Sequence, residues 1–180
     1  MIGCQKEEDG KALLVALKNR LAQVGLSLHE GKTRLVEFGR FAARNRQAAG
    51  LRRPETFDFL GFTHYRGETR SGRFVVKRKT QAKRMVRKPK ALREEMARRM
   101  HTRVKEQHRW LCQVLRGHCQ YYGVIFNYRS LRAFRDCVLR LWRKTLSARS
   151  QKGHVTWTTF QKILATFPIP EPVIHQAWHR

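Results

Sequence analysis

Phe74-Val75-Val76-Lys77-Arg78-Lys79-Thr80-Gln81-Ala82-Lys83-Arg84-Met85 is where one kind of chain gives way to another. Up to Arg78 the segment reads as a strand, with Phe74, Val75 and Val76 in a row. From Thr80 to about Leu146 the β-branched residues thin out and apolar residues recur at helical spacing. The switch predicts an α+β protein. A small helix-plus-β-hairpin piece covers residues 1–79, an all-helical piece covers 80–166, and an extended, proline-containing tail covers 167–180.

Upstream of the switch, Asp9 to Val24 carries Leu13, Leu14, Leu17, Leu21 and Val24 at spacings of three and four, which predicts an amphipathic helix stopped by Gly25. Leu26-Ser27-Leu28-His29 and Thr33 to Phe38 read as two strands joined by a turn at Glu30-Gly31. Gly39 to Pro54 looks irregular, with five arginines among small residues. Thr56 to Tyr65 reads as one aromatic-rich strand, which a polar loop over 67–72 joins to the strand ending at Arg78.

Downstream, one helix is expected from Thr80 to near Arg99, with an interruption at Pro89. Leu92, Met96 and Met100 form its thin apolar stripe. A second runs from about Lys105 to Tyr122. A third covers Ser130 to Leu146, capped by Ser130, with Leu131, Phe134, Val138, Leu141 and Trp142 on one face. A short last helix spans Thr156 to Thr166.

Charge narrows the function. The chain has a formal charge of +26 on 180 residues while 41% of it is hydrophobic. A folded body with so much like charge repels itself unless a polyanion is present. Nucleic acid is the polyanion whose phosphates Lys and Arg neutralise with release of counterions. No apolar run is long enough to span a bilayer and no secretion signal opens the chain, so no membrane partner and a cytoplasmic location are expected. Four scattered cysteines without a C-x-x-C pair fit a reducing compartment.

The densest basic stretch, Arg70 to Arg116, sets seventeen Lys or Arg against three Glu. That excess is too large for a surface laced with i,i+4 pairs. It reads as a phosphate-tracking surface, with a solvated charged face as the alternative. Trp110, Tyr121, Tyr122, Phe126, Tyr128 and Trp142 interleave the charge. They are available either for base stacking or for the core, and their helical spacing favours the core. Tyr121 and Tyr122 are adjacent, so one of them faces outward. Enzyme chemistry has little to build on. Asp9, Asp58 and Asp136 are the only aspartates and are far apart, and neither Glu7-Glu8-Asp9 nor Glu94-Glu95 forms a Mg²⁺ cradle. His108 and Cys112 stand at i,i+4, but His108, Cys112, His118 and Cys119 make an incomplete zinc set. No metal site is expected.

Several separated stretches carry a resemblance. They are Gly25-Leu26-Ser27-Leu28-His29-Glu30-Gly31-Lys32-Thr33-Arg34, Glu55 to Tyr65, Arg109-Trp110-Leu111, Gly117 to Val124, Phe134-Arg135 and Arg140-Leu141-Trp142. In this order they resemble the C-terminal part of bacterial group II intron reverse transcriptase/maturases, over nearly the whole chain. The resemblance implies that residues 1–79 correspond to the end of a polymerase palm and 80–166 to the helical thumb, or maturase-specific domain. It implies that Lys32 lies near an incoming nucleotide and that Phe59, Leu60, Gly61 and Phe62 grip a primer end. It implies structured intron RNA as partner, allows an RNA/DNA primer–template as another, and leaves splicing chemistry to the RNA itself. With the basic stretch it makes Lys83, Arg84, Arg87, Lys88, Arg98, Arg99, Arg109, Arg116, His118, Tyr121 and Tyr122 the candidate RNA contacts.

The family's Tyr-Ala-Asp-Asp metal-binding tetrapeptide would precede Ile2-Gly3-Cys4-Gln5 and does not occur in this sequence. The expectation is therefore a maturase-type fragment with no catalytic residue and no cofactor of its own. Mg²⁺ would be needed only by a full-length enzyme, and the chain would be inactive alone as a reverse transcriptase. Two alternatives stay open: one part of a split polymerase completed by a separate N-terminal half, or a general basic nucleic-acid-binding protein. A palm remnant would leave Leu28, Phe38, Phe59, Leu60 and Phe62 partly exposed.

Overall fold

A computed structural model describes residues 2–150 and 153–175. The protein is α+β. Its elements are α1 (Glu7–Ala22), a 3₁₀ turn (Glu30–Lys32), α2 (Ala42–Ala48), β1 (Phe57–Phe59), β2 (Phe62–Glu68), β3 (Phe74–Thr80), α3 (Ala82–Arg98), α4 (Val104–Tyr122), α5 (Tyr128–Ser147) and α6 (Trp157–Thr166). The three strands form one sheet in the order β1-β2-β3.

The described residues fall into two compact units. One holds those up to Phe57 together with Tyr65–Val76; the other holds Asp58–His64 and those from Lys77 on. The chain thus crosses between units three times, within β1, β2 and β3, rather than at a single cut after Lys79.

In the helical unit, α5 packs on α3 and α4. Leu92 and Met96 of α3, Leu111 and Leu115 of α4, Phe134, Val138 and Trp142 of α5 and Phe160 of α6 are buried in one cluster. Trp142 is fully buried, and its indole N–H donates to Gln107 Oε1 at 3.0 Å. A buried indole without an acceptor would forfeit that bond, so Gln107 is inside for a reason. Helix α3 runs unbroken through Pro89. Met85, Pro89, Leu92 and Met96 share one helical stripe that is buried or half-buried. The proline ring therefore lies on the packed side, and continuing the helix keeps that side together. Helix α5 starts two residues early, after Asn127, so Ser130 is not its cap. Thr156 caps α6, its hydroxyl accepting from Thr159 N at 3.2 Å. From Pro168 to His175 the chain has no helix or strand, and it is clasped. Arg135 reaches Pro170 O at 3.1 Å and Glu171 at 2.6 Å, and Ile169 is buried. The rest of the expected tail, 176–180, lies outside the described residues.

The N-terminal unit departs more from expectation. Residues 26–38 do not pair as a hairpin. The backbone instead makes a 3₁₀ turn, with Lys32 N and Thr33 N bonding to His29 O at 3.0 Å each. A two-residue hairpin loop of the primed kind needs positive φ, and neither Glu30 nor Gly31 adopts it. Ala42–Ala48, read as irregular, is helical, because Ala, Arg and Gln outweigh the flanking glycines. Phe38 meets Phe57 edge-on at 4.9 Å between ring centres. Arg46 donates to Arg53 O at 2.8 Å, and Asn45 to Glu37 at 2.9 Å. Gly10 is buried against Leu35, so close that a Cβ there would stand 2.9 Å from Leu35 Cδ1.

Candidate nucleic-acid interface

The aromatic run Thr56 to Tyr65 is two strands, not one. β1 and β2 are joined by Leu60-Gly61, both at positive φ (47° and 79°), which makes a two-residue loop of the I′ kind. Leucine has no business in that conformation by itself, since the left-handed region costs a residue with a Cβ about 1–2 kcal/mol. Contacts from the helical unit hold it there. The Tyr121 hydroxyl donates to Leu60 O at 2.9 Å. Gly61 O accepts from the backbone N of Gln81, the residue that opens α3, at 3.0 Å. A Cβ on Gly61 would meet the Tyr122 hydroxyl at 3.1 Å. Phe62 is buried, stacked on Tyr121 (5.9 Å, 12°) and edge-on to Tyr122 (5.3 Å, 61°). Its expected exposure is therefore corrected: the two tyrosines cover it. Leu60 remains 67% exposed and Phe59 is exposed beside it.

Asn127, which sequence reasoning passed over, fastens this corner. Its amide accepts from Thr80 N at 2.8 Å and donates to Tyr122 O at 2.9 Å, with no exposure to solvent. The end of β3, the end of α4 and the start of α5 are thereby fixed to one side chain. The residue before it, Phe126, has a φ of 70° and lies under the Lys77 ammonium at 5.3 Å. An Asn after an aromatic is a weak sequence signal, and nothing local marks this one as buried.

Helix α3 starts at the same corner. Lys83, Arg84, Arg87, Lys88, Lys90 and Arg93 are all exposed, and the first carboxylate on the helix is Glu94. Arg84 is close enough to Tyr122, and Lys88 to His118, to act electrostatically on them, so the basic face begins next to the tyrosine pair. Burial is the larger influence on Tyr122 and raises its pKa, with Arg84 opposing.

The other nominated residues separate. Arg109 and Arg116 are exposed on α4. Arg98 and Arg99 are engaged within their own helix, with Glu95 at 3.1 and 2.7 Å, and Arg99 also lies over the Trp110 ring at 4.9 Å. Arg99 first, and Arg98 after it, hold the Glu95 carboxyl below its ordinary pKa. Lys32 ends the 3₁₀ turn of the N-terminal unit and is exposed. His118 is corrected. It is 6% exposed, stacked on Phe134 at 3.9 Å between ring centres, and burial, aided by the Lys88 charge, lowers its pKa to about 4. A buried neutral ring gives a phosphate nothing to bind, so it belongs to the core. His108 Nε2 lies 2.8 Å from Pro168 O and 3.2 Å from Cys112 Sγ. Among the described residues no group of three or more His, Cys, Asp or Glu could hold a metal ion, and no helix is long and apolar enough to cross a membrane.

The chain matches no protein-family model, no curated protein and no solved structure.

Proposed function

We propose that the chain is an RNA-binding module of the group II intron maturase kind, working in the cytoplasm, which holds structured intron RNA while the RNA does its own chemistry. The observation that supports this best is the first three turns of α3. Six exposed cations stand there with no carboxylate among them, starting at a corner that also presents Leu60 and Tyr121. From Lys83 to Arg93 the axis advances about 15 Å, enough to follow several phosphates of one strand. Such an arc repels itself without a polyanion beside it. The four cysteines are free thiols, which suits a reducing compartment.

Fluorescence anisotropy over a salt series tests the reading. The full chain should prefer structured intron RNA to a random duplex of equal length. Replacing Lys83, Arg84, Arg87 and Lys88 together by Gln should weaken binding and flatten the log–log salt slope by roughly three units, since each lost contact removes about 0.7–0.9. Arg98→Gln with Arg99→Gln should change little, because Glu95 already occupies both. An unchanged affinity in the quadruple variant would defeat the proposal. Equal affinity for the random duplex would replace it with general nucleic-acid binding. In this reading the isolated chain extends no primer, and extension in a primer assay would contradict it.

A further inference from the structure

The N-terminal unit contains a second basic feature, formed from residues far apart in the chain. Arg40, Arg66, Gly72, Arg73 and Phe74 line an open cleft of about 470 Å³. Its shape follows from the β2–β3 connection. Thr69 N bonds to Arg73 O at 2.9 Å and Gly72 N to Thr69 O at 3.1 Å, with Gly72 at a φ of 73°. That is a tight turn closed by a left-handed glycine, and it turns the chain back so that Arg73 and Phe74 come to the same cleft as Arg66. The Thr69 hydroxyl also accepts from Arg73 N at 3.1 Å, which fixes the backbone at the mouth.

Three guanidinium groups on one cleft are costly in the absence of an anion. One carboxylate answers them: Glu68 takes Arg66 Nη2 at 2.9 Å. Arg40 and Arg73 have no carboxylate partner among the described residues. Arg66 Nε is buried and has no hydrogen-bond acceptor among them either. A buried donor without an acceptor has room for a partner, and beside three guanidinium groups an oxyanion is the acceptor whose charge matches the site. Phe74, half-buried on the wall, adds an aromatic face of the sort on which a base stacks. The volume is that of a small-molecule site and exceeds what a lone phosphate fills.

We propose that this cleft binds a nucleotide, its phosphate taken by Arg40, Arg66 and Arg73 and its base laid against Phe74. The cleft lies in a different unit from α3, so the inference stands whether or not the α3 reading does. One ligand chemistry can come from two sources here, a free nucleoside triphosphate or the 5′-phosphorylated end of a strand.

Calorimetric titration of the full chain with ATP, and separately with a 5′-phosphorylated adenosine trinucleotide, tests it. Arg40→Gln with Arg73→Gln should weaken binding by at least roughly tenfold, because each charge-assisted bond is worth about a factor of ten. Arg66→Lys keeps the charge but removes Nε and the planar fork, and should weaken binding as well. Arg70→Gln, in the same loop but outside the cleft, should leave affinity within about twofold. The Lys83/Arg84/Arg87/Lys88 variant should bind the probes normally, which separates this site from the α3 surface. Loss in the ATP arm assigns the free nucleotide, and loss confined to the trinucleotide assigns a strand end. No binding in either arm, or an equal loss from Arg70→Gln, would overturn the proposal.

Discussion

Leu17 and Trp142 are both helical residues with apolar neighbours three or four positions away, yet Leu17 is 37% exposed and Trp142 is fully buried. The same contrast runs through the two units. In the helical unit three long helices and α6 bury each other's stripes around Trp142, Phe134 and Phe160. In the N-terminal unit α1 presents Leu13, Val15 and Leu17 to solvent, Val24 just past its end is exposed too, and among the described residues those that are buried are few: Gly10, Ala42 and Val75. Order in that unit rests more on polar links such as Arg46 to Arg53 O and Glu37 to Asn45. An apolar stripe stabilises only where another element covers it.

The difference can be broken experimentally, beginning with the largest effect. Trp142→Ala removes a buried indole and leaves Gln107 Oε1 without its donor, and should cost about 3–5 kcal/mol in chemical denaturation followed by helical signal. A loss below about 1 kcal/mol would mean that the core is not organised around this residue.

Acid should discriminate next. His118 stays neutral in the folded helical unit with a pKa of about 4, below its unfolded value. As pH falls below 6.5 the unfolded chain takes up the proton and the folded one does not. Stability present above that pH is lost progressively down to about 4, by up to about 3 kcal/mol. His118→Gln should flatten this part of the pH–stability curve, and an unaltered curve would show that another group is responsible.

A smaller loss, about 2 kcal/mol, is expected from Asn127→Ala, which leaves Thr80 N without its acceptor and takes from Tyr122 O one of its two donors, Val124 N remaining at 2.8 Å. Faster hydrogen exchange at Thr80, ahead of the core of α5, would locate the damage at the corner. Exchange rising uniformly would show instead that the helical unit opens as a whole. The smallest change belongs to the N-terminal unit. Leu17→Ala should move stability by no more than about 0.5 kcal/mol, and a loss of several kcal/mol would erase the contrast between the units.

How far the sequence could be read depends on whether the signal was local. The helices α3 to α6 were legible because each repeats apolar residues over several turns. The β1–β2 turn was not legible, because Leu-Gly lacks the Asn-Gly or Asp-Gly signature and the left-handed Leu60 is held by Tyr121, sixty-one residues away. The expected hairpin over 26–38 failed because short alternation marks a strand only when something pairs with it. At the candidate interface, the basic run on α3 could be read directly, but the diversion of Arg98 and Arg99 to Glu95 and the burial of His118 could not. A histidine at that spacing reads the same whether it faces solvent or Phe134.

By itself, then, the sequence determined the charge, the helix–strand alternation and the apolar stripes, because these depend on composition and on periods of two and 3.6 residues. Tertiary structure alone decided which stripes are covered, that Asn127 ties β3 to α4 and α5, and that Arg40, Arg66 and Arg73 line a single cleft. Those outcomes depend on contacts between residues distant in the chain, which no local pattern encodes.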